Sequence, residues 1–116
     1  MKSKKSKLQS MADRLWFAKL FNPVCEACGL PAKQVHHFFY KGSYGHLRYN
    51  LDNGISICQS CHYRIHFKDG KVIVDAIIKK RGNKWYEDLK KKALDRPQGS
   101  WATVKYYQDK IKELSL

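Results

Sequence analysis

Two Cys-x-x-Cys pairs, Cys25-Glu26-Ala27-Cys28 and Cys58-Gln59-Ser60-Cys61, constrain this chain more than any other feature. A Cys-x-x-Cys turn closed by Gly29 lets backbone N–H groups and two thiolates face one cation. Two such pairs with 29 residues between them read as a tetrahedral structural zinc site. The alternatives are four unrelated cysteines or a redox pair, and no βαβ pattern surrounds either pair to favour the latter. The separation exceeds that of common zinc ribbons, so a segment is inserted between the knuckles.

The insert carries its own pattern. Val35 to Tyr40, which includes His36-His37, is β-prone. A turn-rich loop follows from Lys41 to Gly45. Asp52-Asn53-Gly54 turns into a short strand, Ile55-Ser56-Ile57, and a helix is expected from Cys58 to Phe67, ended by Lys68-Asp69-Gly70. His62 and His66, at i and i+4, stack on one face of that helix and suit one metal ion. Neighbours on a strand point to opposite sides, so one of His36 and His37 is placed to bind the metal and the other to act as a base.

The chain has 116 residues and is expected to form one domain: a basic tail over 1–7, then a single unit over 8–116 with its core at 25–67 and a helical extension at 71–116. With 43% apolar residues it has enough for a modest core. Lys and Arg number 23 against 10 Asp and Glu, a formal net charge of +13, which points to a polyanionic partner, above all nucleic acid. No apolar run approaches the roughly 18 residues of a membrane span. The start, Met1-Lys2-Ser3-Lys4-Lys5, lacks the apolar stretch of a secretory signal, so an intracellular location is expected, where cysteines bind metal more often than they form disulfides.

His36-His37, Asn53 and Cys58-x-x-Cys61-His62-x-x-x-His66 together resemble the HNH endonucleases, the ββα-metal nucleases, and the cysteine pairs resemble their zinc-stapled branch. The likeness spans about Cys25 to Phe67. The run His46 to Asn53 also looks like NinG-type phage recombination nucleases, and Arg81 to Tyr86 like small phage HNH proteins, which would put the chain in a host cytoplasm. His62 departs from the NinG pattern, which tends to have Asn there.

The resemblance implies a fold and a chemistry. The fold is α+β, a ββα-metal (HNH) core with a structural four-cysteine zinc site, flanked by N- and C-terminal helices. The activity is hydrolysis of DNA phosphodiester bonds to 3′-hydroxyl and 5′-phosphate ends. His36, His62 and His66 would hold one divalent metal (Mg²⁺, Mn²⁺, Ni²⁺ or Zn²⁺; imidazoles suit the last three better). His37 would be the general base, an imidazole pKa near 6.5 fitting that task. Asn53 would orient His37 and its loop, although Asn-Gly is also a common left-handed turn. Lys41, Arg48 and Arg64 are candidates for the DNA backbone, or ordinary solvated charges. His46 reads as a loop residue near phosphate. Tyr40, Tyr44 and Tyr49 interleave with the basic loop, for packing or for contact with sugars and bases. The alternative is a non-catalytic, zinc-dependent nucleic-acid-binding module. A monomer would nick; paired cuts would favour a dimer or two sequential events.

Helices are expected on both sides. One runs from about Leu8 to Phe21, mostly buried through Met11, Leu15, Trp16, Phe17 and Ala18, and Asn22-Pro23 stops it. Others run from Val72 to Arg81 with Gly82 as C-cap, then from an Asn83 N-cap through Trp85, Leu89 and Ala93. After a break at Arg96 to Gly99, a last helix is expected from Ser100 with Trp101, Val104, Ile111 and Leu114. These helices are expected to pack on the N-terminal one. Lys79-Lys80-Arg81, Lys84 and Lys90-Lys91-Lys92 offer a phosphate-binding surface or a solvated face.

Overall fold

The computed structural model describes residues 2–98 and 102–116; the expected helix start at Ser100 and Trp101, and Gly99 of the break, lie outside them. Helix α1 (Lys4–Leu20) leads to strand β1 (Gln34–His37), 3₁₀ turns at Gly45–Leu47 and Leu51–Asn53, strand β2 (Gly54–Ile57), and helices α2 (Gln59–Phe67), α3 (Gly70–Arg81), α4 (Asn83–Leu94) and α5 (Val104–Leu114). The architecture is α+β.

The two strands pair antiparallel, with His36 opposite Ile55 and His37 opposite Gly54. Ile55 and Ile57 are fully buried and pack with Ile73 and Ile77 of α3 beneath the cysteine knuckles. Each such isoleucine contributes about 1.5–3 kcal/mol relative to exposure. Gly54 opens β2 because α1 crosses there: a Cβ would run into Leu20 Cδ1 and stand 2.9 Å from Trp16. Gly82, at φ 101°, is the hinge between α3 and α4, in a region that L side chains avoid.

Several boundaries differ from the sequence expectation. Helix α1 starts at Lys4 rather than Leu8, because Ser3 Oγ accepts from Ser6 N–H and caps it, so Lys4, Lys5 and Lys7 are helical rather than part of a tail. It is also less buried than expected: Ala12 and Trp16 face inward, while Met11 and Phe17 remain exposed. Strand β1 ends at His37, since Asn53 captures the chain beyond it. Gly82, not Asn83, precedes α4. Helix α5 begins at Val104, where Thr103 Oγ1 accepts from Tyr106 N–H.

The flanking helices part company. Helix α5 packs on α1 through Tyr107 and Leu114 against Ala12 and Trp16. Helix α3 packs on α2, and α4 packs through Leu89 and Ala93 on Leu47 and the 3₁₀ turns, not on α1 as expected. Among the described residues, no helix is long and apolar enough to cross a membrane.

Candidate active site

The knuckles meet as their spacing predicts. The four Sγ atoms of Cys25, Cys28, Cys58 and Cys61 all lie within 4.8 Å of one another. Gly29, at φ 81°, turns the first knuckle. Cys58 is the N-cap of α2, its Sγ accepting from Cys61 N–H. Burial tends to raise the Cys25 thiol, but hydrogen bonds from the backbone of Cys58, Cys28 and Ala27 outweigh it and bring it down to about 7. Burial drives the Cys61 thiol upward. Four convergent thiols, three of them buried, none in a disulfide, are a donor set for a structural metal such as zinc.

A second cluster lies between β1 and α2, on the same side of the sheet. The imidazoles of His36, His62 and His66 place one nitrogen each within 4.8 Å of the others. His62 and His66 are one turn apart on α2, and their Nε2 atoms stand 3.1 Å apart. His36 reaches them from β1, with ring centroids 5.1 Å from His62 and 5.6 Å from His66. Burial, then the neighbouring imidazoles, lowers His36 to about 3, and burial also lowers His62. Both are therefore neutral at physiological pH and have lone pairs to offer. Gln34, on the same face of β1 two residues before His36, meets His62 Nδ1 at 2.9 Å through its side-chain amide.

His37 faces the other way, as strand alternation requires. Its Nε2 lies 3.0 Å from the Arg48 carbonyl. A carbonyl only accepts, so Nε2 carries the proton and Nδ1 the lone pair. The ring is stacked on Trp16 of α1 at 4.2 Å between centroids and 6° between planes. Trp16 is itself tied down by an Nε1–H bond to Asn50 O, 3.1 Å. Burial is the largest influence on His37; with the Lys41 and Arg48 cations it outweighs the Arg48 carbonyl and Asp13, lowering the pKa to about 4.

Asn53 is fully buried, and its side chain spends both ends on backbone. Oδ1 accepts from Phe39 N–H at 2.8 Å, and Nδ2 donates to Phe39 O and Leu47 O. It thus staples the segment leaving β1 to the first 3₁₀ turn. Its φ is not positive, so the left-handed turn reading of Asn-Gly does not apply.

The other candidates scatter. Lys41 lines an open pocket of about 470 Å³ together with Gln34, His36, His37, His62 and His66. Arg48 makes a two-pronged ion pair with Asp13, at 2.9 and 2.7 Å, and Asp13 also accepts from Tyr49 O–H. Arg64 pairs with Asp69. His46 Nε2 donates to the Lys92 and Ala93 carbonyls, a bond that joins its turn to α4. Of the three tyrosines, Tyr49 is buried, Tyr44 packs on Phe39, and Tyr40 is exposed at the pocket wall.

Sequence reasoning took Trp16 for a core residue and passed over Asp13 and Gln34. Gln34 had a local signal, the i, i+2 relation to His36 on a strand. Trp16 and Asp13 had none, because α1 meets β1 only through the tertiary fold.

Residues 25–68 match the family model of the HNH endonucleases, and the match contains both cysteine knuckles, the three-histidine cluster, His37 and Asn53. Searches of curated proteins and of solved structures returned no match.

Proposed function

Because residues 25–68 are an HNH-family module with a cysteine set fit for zinc, we propose that the protein is a metal-dependent DNA endonuclease with His37 as general base. The observation that carries this reading is the state of His37: its Nε2–H is committed to the Arg48 carbonyl, leaving the Nδ1 lone pair on a ring that lines the same pocket as the three clustered histidines. A structural module needs no base there.

His36, His62 and His66 would hold one divalent cation, and three imidazoles on one side leave room for phosphate and water on the other. When bound, such a cation would offset charge on the scissile phosphate and support the departing oxygen. His37 takes the proton from the attacking water at Nδ1, and the Arg48 carbonyl steadies the imidazolium that forms. Trp16 sets the plane of the ring. Asn53 holds the chain beyond His37. Lys41 stands at the pocket mouth to meet a phosphate oxygen. Arg48 and Arg64, paired with carboxylates, act by holding the loop and α2 before any contact with DNA. The likeness to NinG-type nucleases favours branched DNA in phage recombination as the setting.

The test is nicking of supercoiled plasmid by the zinc-loaded protein, with Mg²⁺, Mn²⁺ or Ni²⁺ supplied, beside His37→Ala. Metal-dependent nicking that the variant loses, while it keeps its fold and its DNA binding, supports the base. Equal salt-sensitive binding by both proteins, with no cleavage of plasmid or branched junctions under any metal, favours the binding module.

A further inference from the structure

We propose that Tyr40, Phe67 and Tyr63 form a stacking row for the bases of an unpaired DNA strand, so that the pocket takes single-stranded or splayed DNA in preference to intact duplex. The proposal deepens the nuclease reading above and rests on its assignment of the pocket to DNA.

The row starts at the pocket and leads out of it. Tyr40 and His66 both line the pocket, with ring centroids 5.5 Å apart. His66 lies 6.0 Å from Phe67, and Phe67 lies 5.2 Å from Tyr63. Tyr63 and Phe67 follow His62 and His66 by one residue each, so on α2 they make a parallel stripe rotated about 100° from the imidazole stripe. These rings are not core: Tyr40 is 46% exposed, Tyr63 57% and Phe67 72%. Three wet aromatic rings in continuity with a pocket mark an interaction surface, not packing.

Charge selects the occupant. Exposed Lys41 stands beside Tyr40, exposed Lys68 follows Phe67, and the chain carries a net charge of +13. A polyanion is drawn to this patch, whereas a second copy of the chain would bring the same cations against it. Aromatic rings interleaved with basic residues are how sequence-tolerant sites hold single strands, because every base has a π-face. In a duplex those faces are already stacked on each other, so only unpaired bases can use the row.

The experiment measures binding, not cleavage, in the His37→Ala background with zinc present and no added divalent metal. Fluorescence anisotropy compares a labelled twelve-nucleotide oligothymidine with a hairpin duplex, for the parent and for the double variant Tyr63→Leu/Phe67→Leu. Leucine keeps apolar bulk and removes the π-face. Single-strand affinity is expected to fall roughly tenfold or more, and duplex affinity by less than about twofold. Phe67→Trp is expected to retain the parental single-strand affinity. Equal losses on both DNAs, or no loss, overturn the stacking row. So does sedimentation showing a dimeric parent and a monomeric double variant, which assigns the patch to self-association. Loss of plasmid nicking bears on the nuclease reading alone, since these titrations contain no cleavage step.

Discussion

The indole of Trp16 lies flat against the imidazole of His37, 4.2 Å between centroids and 6° out of parallel. One residue comes from α1 and the other from β1, and the first lies outside the segment that matches the HNH family. The contact leaves His37 a single rotational freedom, which the hydrogen bond from Nε2 to the Arg48 carbonyl removes. Arg48 is in turn held by Asp13 of α1. In the proposed nuclease, the flanking helix is therefore part of the apparatus that positions the base, not only a covering for the core.

Trp16→Leu is expected to lower kcat for plasmid nicking roughly tenfold to a hundredfold, since small misplacements of a base are costly. KM for DNA should change less than about twofold. Trp16→Phe retains a flat ring and should recover most of the rate. Trp16 is 3% exposed, so thermal unfolding must accompany the kinetics. Parallel loss of kcat in the Leu and Phe variants at matched folded fraction would show that the stack does not orient His37.

Asn53→Ala should destabilise the fold by about 2–4 kcal/mol, because Phe39 N–H, Phe39 O and Leu47 O lose partners inside the protein. Asn53→Asp should be at least as harmful, because it turns an oxygen toward the two carbonyls that Nδ2 now serves. Urea unfolding of the zinc-loaded proteins reads both. An Asp variant as stable as wild type would contradict the assigned hydrogen bonds.

The acid limb of kcat/KM should lie well below the 6.5 of a solvated imidazole. Burial and the Lys41 and Arg48 cations disfavour the protonated form of His37, holding it at about 4. The lone pair therefore persists as pH falls, and activity is lost only as pH approaches that value. At saturating metal, kcat/KM should stay level from neutrality to about pH 5, and Lys41→Gln should move the limb upward. A limb centred at 6.5 in the wild type would mean that the ring is solvated in the working enzyme.

Stripping the knuckle metal should unfold the ββα core rather than merely silence it. Cys25, Cys58 and Cys61 share one cluster with Ile55, Ile57, Ile73 and Ile77, so a metal held by the knuckles ties both of them to that core. The purified chain is expected to carry one zinc per molecule by elemental analysis. A strong chelator should lower the melting temperature by roughly 15 °C or more. Cys25→Ser, at a fully buried site, should cost more than Cys28→Ser at an exposed one. A chelated protein with an unchanged melting curve would refute a structural metal.

Local chemistry made much of this readable. Strand alternation at His36-His37, the helical i, i+4 spacing of His62 and His66, and the two Cys-x-x-Cys turns each follow from backbone geometry within a few residues. Helix ends were harder, because caps compete with hydrophobic pattern. Ser3 and Thr103 moved two helix starts by a side-chain hydrogen bond that apolar periodicity does not register. Helix α4 illustrates another limit: its lysines drew attention as a phosphate surface, while Leu89 and Ala93 on its opposite face braced the 3₁₀ turns.

The sequence by itself determined the candidate ligand sets, the α+β order of elements and the opposite facing of His36 and His37. Those features depend on spacing along the chain, and spacing becomes geometry once a strand or helix forms. Tertiary structure alone decided that Trp16 stacks on His37, that Asp13 holds Arg48, and that Asn53 spends its amide on Phe39 and Leu47. These contacts depend on how segments pack and on which partner a side chain finds there, and no local period of the chain encodes which helix will cross which strand.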